Sequence, residues 1–168
     1  MFFLYFNTAS VASAIGIFGD ESTKSIANST IAFNHQVDPI GATCSGVVQA
    51  DGVLHLESTI VASSTCKNDP PYDDTPYDIG GSPDVDSVMG ANNLVMTSWL
   101  PLPADTITTD PRRGRLAANG GRTRTHALRD SSPAIDTGNN AAGLQYDQRG
   151  AGYPRVKGVQ ADIGAYER

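Results

Sequence analysis

"LHLESTIVAS", residues 54–63, alternates apolar and polar side chains. In an extended segment Leu54, Leu56, Ser58 and Ile60 fall on one face, and His55, Glu57 and Thr59 on the other. That is the pattern of a strand with one covered side. Upstream, "SIANSTIAFN" (25–34) carries the same Ser-Thr-Ile, the two copies standing 29 residues apart, Ser29 to Ser58. Downstream, a fainter copy, "NNLVMTSWL" (92–100), follows a long insertion. Self-similarity at such a period marks stacked units that each need a neighbour to bury their apolar face. The expected fold is all-β: a short right-handed parallel β-helix of about three or four coils over residues 1–109.

The rest of the composition agrees. A chain of 168 residues can bury a core of its own, and its 17 Gly and 10 Pro favour short strands joined by turns. The net charge of −6 argues against general nucleic-acid affinity. Charge is also uneven: residues 1–110 hold 13 acids against Lys24 and Lys67, whereas residues 111–168 hold 10 bases against 5 acids. An acidic body and a basic tail section can pair internally or present opposite surfaces. No stretch is long and apolar enough to span a membrane. No C-x-x-C, H-E-x-x-H, G-x-S-x-G or glycine-rich phosphate loop occurs, so no organic cofactor is expected. The N-terminal "MFFLYFNTASVASA" has no Lys or Arg before Lys24, which argues against a secretory signal. The expectation is a chain that begins inside a strand of a longer parent.

Cys44 and Cys66 are 22 residues apart, a plausible length for one coil. Stacking them on neighbouring rungs would place them about 4.7–4.9 Å apart, within reach of a disulfide, with two buried thiols as the alternative. Between the repeats and the tail, "KNDPPYDDTPYDIGGSPDVDS" (67–87) holds six aspartates and four prolines without apolar periodicity. Proline at that density blocks helix and central strand, so an excursion loop is expected. Asp69, Asp73, Asp74, Asp78, Asp84 and Asp86 are hard oxygen donors close in sequence, the ligands Ca2+ takes. Their spacing does not match the EF-hand, so a solvated acidic loop is the competing reading.

The tail changes character again. Asn119-Gly120-Gly121 is a turn signal, and Thr123, Thr125 and Ala127 alternate with Arg124, His126 and Leu128 as a strand would. His126 could act as a general base oriented by Asp136 or Asp162. The alternative is a polar lattice of His126, Asp136, Asp147, Arg149 and Asp162 holding glycine-rich loops in place. Tyr72, Tyr77, Tyr146 and Tyr153 could stack on sugar rings, whereas Trp99 beside Leu100 is expected in the core.

Several tail elements occur together: Asp110-Pro111, Asn119-Gly120-Gly121, Thr125-His126, Ser132-Pro133-Ala134-Ile135-Asp136, Asp147-Gln148-Arg149-Gly150, Arg155 and Asp162-Ile163-Gly164-Ala165-Tyr166-Glu167. In that combination the tail resembles the C-terminal end of choice-of-anchor Q proteins, bacterial exported right-handed parallel β-helix proteins with a pectate-lyase-like fold. The resemblance implies a loop-rich cap over residues 110–168, an extracellular or cell-surface setting and a fragment of a longer protein. It supplies no catalytic residues. The functional expectation is an exported surface or carbohydrate-contacting module, self-associating through its exposed N-terminal rung. The alternative is a calcium-dependent hydrolase or lyase acting on a polysaccharide or small ester.

Overall fold

A computed structural model describes residues 3–5, 8–9, 15–17, 23–36, 45–49, 52–66, 77–81 and 86–168. The strands come in rounds. The first comprises β1 (Phe3–Tyr5), β2 (Thr8–Ala9) and β3 (Ile15–Ile17). The second holds β4 (Thr23–Ala27), β5 (Thr30–Ala32), β6 (His35–Gln36) and β7 (Ser45–Gln49). The third runs through β8 (Gly52–Glu57), β9 (Ile60–Ala62), β10 (Thr65–Cys66) and β11 (Tyr77–Gly80). β12 (Asp86–Ala91) and β13 (Leu94–Val95) open a fourth, and β14 (Arg113–Ala117) and β15 (Thr125–Leu128) form an antiparallel hairpin. Each strand pairs in parallel with its counterpart one round on, giving the sheets β1-β5-β9-β13, β2-β6-β10, β3-β7-β11 and β4-β8-β12. The described residues are all-β and contain no helix.

The pairing register departs from the sequence repeat by one residue. Ser-Thr-Ile recurs at 29, yet Thr30 pairs with Ile60 and Ile31 with Val61, 30 residues on. A backbone corner sets this register. Asn28, Ser58 and Asn92 all take left-handed conformations (φ 47, 46 and 55°) at the same place in successive rounds. Asn28 N donates to Glu57 O and Ser58 N to Ala91 O across the rounds. Asn reaches that region at low cost and Ser can be held there, so the corner aligns even where the side-chain motif does not.

A one-residue slip exchanges the two faces of a strand. Leu54 and Leu56 point inward as expected, joining Ile31, Val47, Val61, Ile79, Val88, Val95 and Leu100 in the interior core. Beyond the corner the alternation inverts, and Ile60, Ala62 and Leu94 face outward. They are nonetheless buried, because the C-terminal region covers them: Leu128, Ala134 and Ile163 complete a second apolar cluster on that side. The expected cap is therefore a cover along the outer face of the β1-β5-β9-β13 sheet. It is stitched to two successive rounds through Gly164 N to Ser58 O (2.9 Å), Ala165 N to Thr30 Oγ1 (3.1 Å) and Asn139 N to Ser58 Oγ (2.5 Å). Asn92 Nδ2, donating to Thr137 O at 3.1 Å, adds a third round. Gly164 sits at φ 103°, and a Cβ there would stand 2.8 Å from Thr30 Oγ1 and 2.9 Å from Ile60 Cδ1, so the cover can lie this close only with glycine.

The 22-residue cysteine spacing does not correspond to one round, contrary to the expectation. The round is longer than 22 residues, and Cys66 pairs with Gln36 one round back. Cys44 and the Cys66 side chain lie outside the described residues.

Candidate functional site

A second left-handed corner follows the first. Phe33 and Ser63 (φ 59 and 64°) occupy equivalent positions one round apart, and the β14–β15 hairpin docks beside them. Its register shifts between Arg113 and Leu116, a local irregularity of the kind that re-aims side chains. Arg113 lies over the Phe33 ring, its Cζ 4.5 Å from the centroid, and its Nη2 donates to Ser63 Oγ at 2.9 Å. Burial lowers the Arg113 pKa from its ordinary value, against the opposing pull of Asp110 and Asp78. Around this pair opens a cavity of about 250 Å³ walled by Phe33, Ser63, Asp110, Arg112, Arg113 and Arg129. Three arginines and one acid therefore line it, with the Arg112 guanidinium donating to Ser131 O at 3.4 Å.

His126 belongs to the same corner. Its ring lies 5.3 Å from that of Phe33, and Nδ1 is 2.8 Å from Gly114 O. Burial, with a smaller push from Arg113, lowers its pKa, so the neutral ring is favoured. Asp136 and Asp162 come together elsewhere. Asp136 N donates to Asp162 Oδ1 at 2.8 Å, and Asp136 Oδ1 accepts from Val159 N and Gln160 N. Asp162 Oδ2 accepts from Arg168 N at 2.8 Å, and burial raises its pKa. The three residues considered for acid–base work thus divide between two places, and the carboxylates are engaged by backbone N–H groups.

Those carboxylates belong to a lattice that anchors the cover. Arg155, 1 % exposed, donates to Glu167 Oε2 (3.2 Å), Asn28 Oδ1 (2.8 Å) and Asp162 O (2.7 Å). Asp147 accepts from Glu167 N and from Arg149, whose guanidinium lies between the Tyr153 and Tyr166 rings at 4.1 and 3.9 Å. The sequence marked Asp136, Asp147, Arg149 and Asp162 as lattice members. It did not mark Arg155 and Glu167 as the buried pair at its centre.

The acidic loop lies only in part within the described residues. Asp69, Asp73, Asp74 and Asp84, with the Asp86 side chain, lie outside the described residues, as does Tyr72. Asp78 is buried, and its carboxylate accepts from Ser64 N (2.9 Å), Thr97 N (3.1 Å) and Thr97 Oγ1 (3.1 Å). Burial raises its pKa, with those hydrogen bonds pulling the other way. Among the described residues no three His, Cys, Asp or Glu side chains gather as metal ligands.

The aromatic expectations are partly reversed. Trp99 is 49 % exposed while Leu100 is buried, so it is the neighbour that fills the core. The Tyr77 ring meets Trp99 edge-on at 5.3 Å and 79°. Both are held firmly: Trp99 N donates to Ile79 O at 2.9 Å, and Asp78 fastens Thr97 two residues before it. Arg149 occupies a face of Tyr153, and Tyr146 is 37 % exposed. Asp78 also links the aromatic pair to the arginine-walled cavity, because Ser64 follows Ser63 of the cavity wall.

No family model, curated protein or solved structure matches the chain. Among the described residues no helix is long and apolar enough to cross a membrane.

Proposed function

We propose that the four parallel sheets are the faces of a short right-handed β-helix, and that the chain is a non-catalytic, carbohydrate-contacting module of an exported surface protein. Parallel crossovers within one sheet are right-handed in nearly all proteins, which supports the handedness. The resemblance of the tail to choice-of-anchor Q proteins supports the surface setting and a longer parent. Self-association through the N-terminal edge of the described strands belongs to the same reading, since β1, β2 and β3 of the first round and β4 of the second are edge strands of their sheets.

The observation that carries the binding role is the Trp99–Tyr77 pair. A half-exposed indole, braced edge-to-face and with its backbone tied down, offers an apolar ring surface at little ordering cost. Sugar rings present C–H faces that such a surface covers. A glycan array probed with the wild type and with Trp99→Ala tests this. Binding by the wild type that disappears in a folded Trp99→Ala variant is expected. No binding to any glycan, or turnover of a glycan or ester by the wild type, would overturn it.

A further inference from the structure

We propose that the cavity walled by Phe33, Ser63, Asp110, Arg112, Arg113 and Arg129 is an oxyanion subsite, receiving the carboxylate or sulfate of an acidic saccharide. The inference builds on the carbohydrate reading and adds the charge class of the ligand.

Charge is the first argument. Three arginines surround a space of about 250 Å³ with Asp110 as the single acid among its described walls. Asp110 turns one carboxylate oxygen to the backbone of Arg112, accepting from its N–H at 2.7 Å. The second argument is fixation. Arg113 is pinned by Ser63 Oγ and the Phe33 face, and its Nε and Nη1 are buried with no hydrogen-bond partner among the described residues. A cation taken partly out of water and incompletely paired attracts an incoming anion more strongly than a solvated one does.

Backbone geometry is the third argument. Arg112 holds a left-handed conformation (φ 48°) that costs an ordinary side chain free energy, and Phe33 and Ser63 do the same across the cavity. Arg112 O in turn accepts from Arg129 N at 3.0 Å, which fixes the two exposed arginines side by side. The aromatic pair is coupled to the cavity wall through Asp78, which accepts from Ser64 N and Thr97 N.

Isothermal titration calorimetry separates the possibilities. The ligands are a glucuronate-containing oligosaccharide, its carboxyl-reduced neutral form, a sulfated form and inorganic sulfate. The proteins are the wild type and an Arg112→Gln, Arg129→Gln double variant, whose altered side chains are exposed and whose fold is checked by circular dichroism. The wild type should bind the two acidic oligosaccharides about tenfold more tightly than the neutral one, as expected of charge-assisted hydrogen bonds. That preference should shrink with added salt and fall most of the way in the double variant, which keeps only Arg113 of the three. Equal affinity for acidic and neutral forms would overturn the oxyanion subsite and leave the carbohydrate reading standing. So would an acidic preference that is undiminished in the double variant. Binding of inorganic sulfate without any oligosaccharide would overturn the saccharide as ligand, and no binding at all would overturn both.

Discussion

Replacing Arg155 with Met removes the cation at the centre of the lattice while keeping much of its apolar stem. The guanidinium is fully buried and ion-paired to Glu167, which is itself 1 % exposed. Removing one partner of a buried pair leaves the other charge uncompensated, at about 3–5 kcal/mol. Glu167 keeps hydrogen bonds from Asp162 N and Lys157 N, which places the cost near the lower end, about 3–4 kcal/mol. For a domain of this size each kcal/mol moves the melting temperature by about 2–4 °C, so a fall of roughly 10 °C is expected. Guanidinium denaturation followed by circular dichroism measures it directly. An Arg155→Met, Glu167→Leu double variant should recover much of the loss, because no charge is then stranded. A single variant that loses less than about 1 kcal/mol, or a double variant worse than the sum of its parts, would refute the claim that this pair anchors the cover.

Other perturbations probe other parts. Gly164→Ala should lower the melting temperature by several degrees, because its Cβ must displace Thr30 and Ile60 from a backbone already at positive φ; an unchanged melting curve would mean the cover does not lie against that sheet. His126 has a folded-state pKa pulled below 6.5 by burial, so the unfolded chain binds the extra proton first. Its contribution is therefore complete above about pH 6.5 and lost as pH falls through the depressed value, and His126→Gln should flatten stability over that window while the wild type climbs. A rise in melting temperature with calcium, reversed by a chelator, would assign the aspartates of the 67–87 loop a metal and support a calcium-dependent activity, whereas an unchanged melting temperature would support a solvated acidic loop; Asp78, held by Ser64 and Thr97, should contribute to neither outcome.

Much of the fold was legible because strand alternation and repeat spacing are local signals. Leu54 and Leu56 announced the inward face, and the Ser-Thr-Ile copies announced the stacking. The register slipped by one because it is set by left-handed corners at Asn28, Ser58 and Asn92, and conformation is not written in residue type when Ser can stand where Asn does. Ile60 read as sharing the face of Leu54 and Leu56, since neither the corner that turns it outward nor the segment from residues 128–163 that buries it there is local to the strand. Long-range burial leaves no local pattern. The cavity was legible only as a charge count, 10 bases against 5 acids in residues 111–168, and the seating of Arg113 on Phe33 and Ser63 depends on the hairpin register. Trp99 was misread because its neighbour Leu100 is the core residue, and alternation alone does not say which of two adjacent apolar side chains turns inward.

The binding surface itself is tested most directly by nuclear magnetic resonance of the 15N-labelled protein during titration with the tightest ligand from the glycan array. Trp99 is the single tryptophan, so its indole N–H gives one unambiguous signal. The indole signal and the amides of Tyr77, Arg112 and Arg113 should shift together with one dissociation constant. Shifts confined to residues 134–167 or to the β4-β8-β12 sheet, with the indole signal stationary, would contradict the account.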